Sequence, residues 1–250
     1  MRTRHAAHLM GTVFSFDVPA GTDLDDALRW LHRVDALFST YDEGSEISRL
    51  ARGELGMRDC DPLVRDVRAL CEDAEARSGG FFSARYGGPF DPTGLVKGWA
   101  VEAVGQLLSA AGVVDYCVNG GGDIQLAGRP APGERWRTGV SDPLRPGELI
   151  AVVEAGPATT AVATSGPAER GCHIRDPRTG EPADGGGLAS VTVLAEGLTA
   201  ADAWATAAYA MGSEAAREWL EGLPGVEALG VTTDRGTWRT SGLSGVRIAD

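Results

Sequence analysis

The spacing of apolar residues changes period repeatedly along the chain. Residues 10–18 alternate apolar and polar, which predicts a half-buried strand. Residues 22–38 switch to helical spacing, with Leu24, Ala27, Leu28, Leu31, Val34 and Leu37 on one side. Residues 39–50, STYDEGSEISRL, read as a loop turning into a short helix capped by Ser45. Residues 61–78 form a second amphipathic helix, opened by Pro62 and closed by Gly79 and Gly80. A third helix is predicted from near Thr93 to about Ala111. Strands are predicted over 113–118, 124–128, 136–140, 149–155, 158–165, 190–194, 226–232 and 238–241. Helices are predicted over 199–212 and 214–221. Strands and helices mix without βαβ alternation, so the expected class is α+β with a mixed sheet, in one compact unit over 1–250.

The segment 199–212, TAADAWATAAYAMG, carries the densest chemical signal. Asp202 and Thr206 lie four residues apart, which puts a carboxylate and a hydroxyl on one helical face. Their neighbours are alanines, so the carboxylate must find a partner other than packing. A carboxylate with a neutral oxygen suits a hard cation such as Mg²⁺, with water or phosphate completing the shell. The competing reading is a helix started by Thr199, with Asp202 as its cap and Thr206 bonded back within the helix.

Other segments carry weaker signals. VNGGGD (118–123) follows a strand, and its glycines would let a ligand approach the backbone. It is neither GxGxxG nor a P-loop, and a tight turn is the plain alternative. FDPTGLVKGWA (90–100) sets Asp91 before a helix start, whose free amides suit phosphate, and Lys97 further in. An N-capping Asp with a solvated lysine is the simpler reading of that pair. In 161–180 a histidine, His173, lies near Asp176, Arg170, Arg175 and Arg178. Those arginines should keep His173 neutral and able to accept a proton, unless the segment is only a surface turn. Tyr41, Phe81, Phe82 and Tyr86 fall in loops, where they either anchor the loop or offer faces to a flat ligand.

Composition narrows the choice. The chain has 250 residues, 43% of them hydrophobic, enough for one sizeable core. A net charge of −12 argues against nucleic acid as partner. Cys60, Cys71, Cys117 and Cys172 show no CxxC spacing and read as free thiols. Cys172 beside His173 is weak evidence for a nucleophile, because adjacent residues on a strand point to opposite faces. No apolar run approaches a membrane span, and the N-terminus lacks the apolar region of a signal peptide, so the chain as given reads as cytoplasmic.

The order of the motifs is more telling than any one of them. MGT (10–12), FSTYDEGSEISRL (38–50), DPTGLVKGWAVE (91–102), VNGGGDI (118–124), ATSGPAERGCHIRDPRTG (163–180) and SVTVLAEGLTAADAWATAAYAMG (190–212) together resemble the ApbE-type FAD:protein FMN transferases over almost the whole chain. The resemblance implies an enzyme that cleaves FAD, moves the FMN moiety onto a Thr or Ser hydroxyl of a target flavoprotein, and releases AMP. It implies Mg²⁺, or Mn²⁺, at Asp202 and Thr206 with backbone oxygens near Ala205 and at Gly94. Flavin and nucleotide contacts would map onto Met10, Tyr41, Phe81, Phe82, Ser83, Asp91, Lys97, Asn119, Gly120, Gly121, Asp123 and Arg175, in a flavin cleft. Many relatives carry Asp where this chain has Ser83. His173 or Asp176, or else Asp91, would orient or deprotonate the incoming hydroxyl. The alternatives are an FAD pyrophosphatase giving FMN and AMP, and a non-catalytic FAD-binding protein.

Overall fold

The structure is a computed structural model that describes residues 1–85, 88–156, 160–167, 174–176, 179–243 and 247–248. Tyr86, Arg170, Cys172, His173 and Arg178 lie outside the described residues.

The chain opens on a hairpin of β1 (Arg2–Leu9) and β2 (Thr12–Pro19). Its turn places Met10 at φ 50° and Gly11 at φ 69°, the left-handed pair that matches strand twist in a two-residue hairpin. Residues 10–18 are therefore a turn plus a strand, and β1 before them escaped prediction because its polar RTRHAAHL composition hides the alternation. In β2 the alternating Phe14, Phe16 and Val18 are all buried.

Four helices and a pair of strands follow: α1 (Asp25–Phe38), α2 (Glu46–Ala51), α3 (Pro62–Arg77), α4 (Thr93–Ala110), β3 (Tyr116–Gly120) and β4 (Asp123–Ala127). Ser45 caps α2 by accepting from the Ser48 amide at 3.1 Å, and Asp61 caps α3. The strand expected over 113–118 starts three residues later and ends two later, at Gly120, so Asn119 and Gly120 belong to β3 and only Gly121 and Gly122 form the turn, at φ 60° and 96°.

The rest is β5 (Arg137–Ser141), β6 (Leu149–Glu154), β7 (Ala161–Ser165), β8 (Leu188–Ala195), α5 (Leu198–Met211), α6 (Ser213–Glu221), β9 (Glu227–Thr232), β10 (Thr237–Arg239) and β11 (Arg247–Ile248). One eight-stranded sheet runs β1-β2-β3-β4-β7-β8-β9-β10, and a second runs β11-β6-β5. Every strand pairing between these elements is antiparallel. This is the expected α+β class, in one compact unit, but the sheets are antiparallel throughout rather than mixed.

All eight residues of β8 are buried. One of its faces meets α5, and Leu194 on the other joins Val140, Ala151 and Val153 of the small sheet in a second core cluster. A strand covered on both sides reads as a continuous apolar run, which is why 190–194 was legible. Among the described residues no helix is long and apolar enough to cross a membrane.

Burial pushes the Cys71 thiol up to about 12 and Cys117 up to about 11, and it raises Cys60 as well. A raised thiol stays protonated at pH 8, and the thiol is not the nucleophile. Cys71 and Cys117 should resist a disulfide-exchange reagent at pH 8 until a denaturant is added. Rapid labelling of either in the folded protein, located by peptide mass, would contradict their placement.

Candidate functional site

The site begins with two helices that touch without side-chain bulk. Eleven of the fourteen residues of α5 are buried, and most of these are alanine. A helix apolar all round must be covered all round, and alanine lets its covers come close. On α4, Gly94 and Gly98 face α5 one turn apart. A Cβ on Gly98 would stand 2.6 Å from the Leu198 carbonyl oxygen and 2.7 Å from Asp202 Cβ. A Cβ on Gly94 would stand 3.2 Å from the Thr206 methyl and 3.3 Å from the Phe82 ring. The antiparallel helix pair therefore closes only on glycine.

Polar bonds fix the register of this pair. The Gly98 amide donates to Asp202 Oδ2 at 2.9 Å, and Thr206 Oγ1 donates to the Gly94 carbonyl at 3.3 Å. Neither the capping role for Asp202 nor back-bonding by Thr206 holds, because both side chains bond across to α4. Asp202 and Thr206 are 7% and 5% exposed. What remains exposed borders a cavity of about 300 Å³.

One wall of the cavity is Asp91, Thr93, Gly94 and Lys97 of the α4 entry, with Asp202 and Thr206 of α5. The facing wall is Thr164, Ser165 and Gly166 at the end of β7, with Ser190 of β8. Ile174 and Arg175 form a third side. The tip of the β5–β6 hairpin, from Ser141 to Gly147, supplies the fourth through Asp142, Pro143 and Pro146. Only the tertiary packing of the small sheet brings this tip to the cavity.

Lys97 forms an ion pair with Asp123, whose side chain is 3% exposed against 12% for the lysine. Asp123 Oδ1 also accepts from the Thr164 amide at 3.4 Å. The pair holds the ammonium at the cavity edge. Replacing Asp123 with Ala should lower the unfolding free energy by about 2–3 kcal/mol, less than a fully buried pair because Lys97 borders the cavity. A urea melt that shifts by less than about 0.5 kcal/mol would show that the pair contributes nothing.

Asp91 Oδ1 accepts from the Thr93 amide at 3.0 Å, so it shapes the α4 entry while lining the cavity. Arg175 donates from Nη1 to the Gly180 carbonyl at 2.8 Å, which holds its backbone turn. Asp176 lies in that turn and does not line the cavity.

The other expected contacts fall elsewhere. Met10, Asn119, Gly120 and Gly121 gather at one end of the large sheet, where the β1–β2 and β3–β4 turns meet. There the Gly121 amide donates to the Val13 carbonyl at 3.1 Å, and Asn119 Oδ1 accepts from the Gly122 amide at 2.8 Å. Asp123 links this end to the cavity through Lys97. Tyr41 is 94% exposed on a loop braced by Ser39, whose Oγ accepts from the Tyr41 and Asp42 amides. Phe82 is buried behind Gly94, supporting the cavity from within rather than offering a stacking face. Ser83 is buried too, Phe81 packs partly buried on the core, and Ala205 is enclosed within α5.

The α4–α5 wall fits a hard divalent cation. Among the described residues no three His, Cys, Asp or Glu side chains converge as a metal site. The donor set here is one carboxylate with neutral oxygens, which leaves much of the shell to water or phosphate, as Mg²⁺ prefers. The 3.3 Å between Thr206 Oγ1 and the Gly94 oxygen is close to the ~3 Å edge of an octahedron with ~2.1 Å bonds. No protein partner of Asp202 Oδ1 occurs among the described residues, so that oxygen is available to a ligand.

The antiparallel sheet with its helices forms a fold already seen in flavin transferase structures. Flavinyl transferase ApbE of Pseudomonas stutzeri, in its apo form, superposes with a TM-score of 0.82 at 21% identity over 96% of each chain. Flavin transferase ApbE of Vibrio cholerae gives 0.80 at 22% identity, over 97% of this chain and 98% of that one. At such identity they show the fold alone. The ApbE family model matches residues 10–90 and 85–230, and the chain belongs to the ApbE family. The FAD:protein FMN transferase of Vibrio cholerae is 35% identical over 133 residues, 50% of this chain and 39% of that protein. The one from Treponema pallidum is 33% identical over 184 residues, 67% of this chain and 50% of that protein. The chain thus spans half or less of the length of these curated relatives.

Proposed function

We propose that this chain, acting over 1–250 as one unit, is an FAD:protein FMN transferase. It moves the FMN moiety of FAD onto a Thr or Ser hydroxyl of a target flavoprotein, with Mg²⁺, and releases AMP. The observation that carries this reading is the convergence of Asp202, Thr206, the Gly94 carbonyl and Lys97 on one cavity. The names of the curated relatives support the same reaction.

In the proposed reaction the acceptor oxygen attacks the FMN phosphorus. The bond from that phosphorus to the bridging oxygen breaks, the bridging oxygen leaves with AMP, and the hydroxyl proton passes to a base. Asp202, Thr206 and the Gly94 carbonyl would hold the metal, with Ala205 O a further candidate. When bound, it supplies charge neutralisation on the diphosphate. Lys97, held in place by Asp123, presents a second positive charge to the same oxygens. Of the candidate bases, Asp91 lines the cavity, Asp176 does not, and His173 lies outside the described residues. Met10, Tyr41 and residues 119–121 remain candidate flavin contacts, and Asp123, at the end of the sheet where Met10 and Asn119 lie, reaches the cavity through Lys97.

The test is intact mass of an acceptor flavoprotein after incubation with this chain, FAD and Mg²⁺, with AMP measured alongside. A gain of one FMN phosphoryl unit on the acceptor, matched by AMP, is expected. AMP with free FMN and no adduct on any acceptor tried would replace the reading with FAD hydrolysis. Bound FAD without AMP would leave only a binding protein.

A further inference from the structure

The contact between α4 and α5 has a third polar rung, away from the cavity. The Thr199 amide donates to Glu102 Oε2 at 2.7 Å. Glu102 follows Gly94 and Gly98 at four-residue steps, so the three form one stripe along α4. Opposite them on α5 stand Thr206, Asp202 and the first turn.

We infer that Glu102 is a positioning residue for the cation site: its carboxylate anchors the first turn of α5 and so sets where Asp202 and Thr206 stand against Gly94. This rests on the metal-dependent reading above.

The start of α5 lacks a cap of its own. Its N-cap is Gly197, without a side chain to accept from the first amides. Two side chains from other elements replace it: Glu102 on the Thr199 amide, and Gln125 Oε1 on the Leu198 amide at 3.1 Å. A Cβ on Gly197 would sit 3.0 Å from a Glu102 carboxylate oxygen, so the glycine makes room for the anchor. The negative charge also suits the positive end of the helix dipole.

Register needs such an anchor here. Helices usually interlock by ridges entering grooves, and a surface of alanine has shallow ridges. Sliding α5 by one residue moves it about 1.5 Å, whereas metal ligands must hold to about 0.2 Å. The polar rungs therefore supply what packing does not. Asp202 and Thr206 face the ligand, which leaves Glu102 and Gln125 as the rungs that touch none of it.

The test uses the full chain loaded with FAD, with Mn²⁺ as the probe, read by electron paramagnetic resonance of the free ion. Glu102→Ala should weaken Mn²⁺ binding about tenfold or more, and raise the half-saturating Mg²⁺ for AMP release by the same factor. At saturating metal the KM for FAD should change by less than about twofold, since Glu102 lies outside the cavity. Glu102→Gln keeps an acceptor oxygen and should restore binding to within about threefold of the parent. Glu102→Asp keeps the charge but falls one methylene short; it should weaken Mn²⁺ several-fold and serves if the alanine variant does not fold. Lower thermal stability with unchanged Mn²⁺ affinity in Glu102→Ala, or unchanged affinity in Glu102→Asp, would reduce Glu102 to a plain helix cap. Asp202→Asn run alongside separates the two levels. If it loses Mn²⁺ while the Glu102 variants do not, the positioning role alone fails. If Asp202→Asn binds Mn²⁺ normally, the metal reading fails and the positioning role with it.

Discussion

Asp202→Asn should cost AMP release about a thousandfold or more in kcat/KM, about 4 kcal/mol of transition-state stabilisation. Asparagine keeps an oxygen that can accept from the Gly98 amide, so the rung between α4 and α5 survives. What it lacks is the negative charge of Asp202, among the described residues the one carboxylate of the two helices that lines the cavity. The melting temperature should therefore stay within about 4 °C of the parent, equivalent to about 1 kcal/mol in a chain of this size. Activity lost with fold intact locates the charge in the chemistry. Turnover near the parent level would sink the metal assignment. A collapse of stability instead would make Asp202 a structural rung only.

Gly98→Ala should destabilise the protein by about 2–3 kcal/mol and lower its melting temperature by about 4–12 °C. The sign is the informative part. Glycine inside a helix ordinarily costs about 1 kcal/mol against alanine, so a free surface would predict stabilisation. Here the added methyl would meet the Leu198 carbonyl at 2.6 Å, and backbone cannot rotate away as a side chain can. The helices must part, and Asp202, whose Cβ is the next nearest atom, moves with them. AMP release should fall too, since a misplacement near 1 Å can cost about a hundredfold. Gly94→Ala meets only the Thr206 methyl and the Phe82 ring, at 3.2 and 3.3 Å, and should be milder. A raised melting temperature in Gly98→Ala would mean the close helix approach is not present in solution.

The strong periodicities were the legible part of this fold. α1 follows from its apolar spacing, α3 from apolar spacing with Pro and Gly punctuation, and β8 from its unbroken apolar run. β1 was not legible, because a polar edge strand is read only once its partner is known. The two-residue strand β11 is too short to give a pattern. In the site, the face shared by Asp202 and Thr206 could be read from spacing alone. Their partners could not: Gly94 and Gly98 look like helix breakers until α5 is laid against them. Lys97 and Asp123 likewise read as separate ligand contacts, and only β3–β4 pairing brings the carboxylate to the lysine. Phe82 shows the converse. A loop aromatic looks available for stacking, yet packing buries it behind Gly94.

The most direct test of the α4–α5 site is a crystal structure with FAD and Mn²⁺, using the anomalous signal to place the ion. The expected peak lies within bonding distance of Asp202 Oδ1, Thr206 Oγ1 and the Gly94 carbonyl, with the diphosphate beside Lys97. Density for the diphosphate and metal elsewhere, with Asp202 contacting neither, would contradict the account.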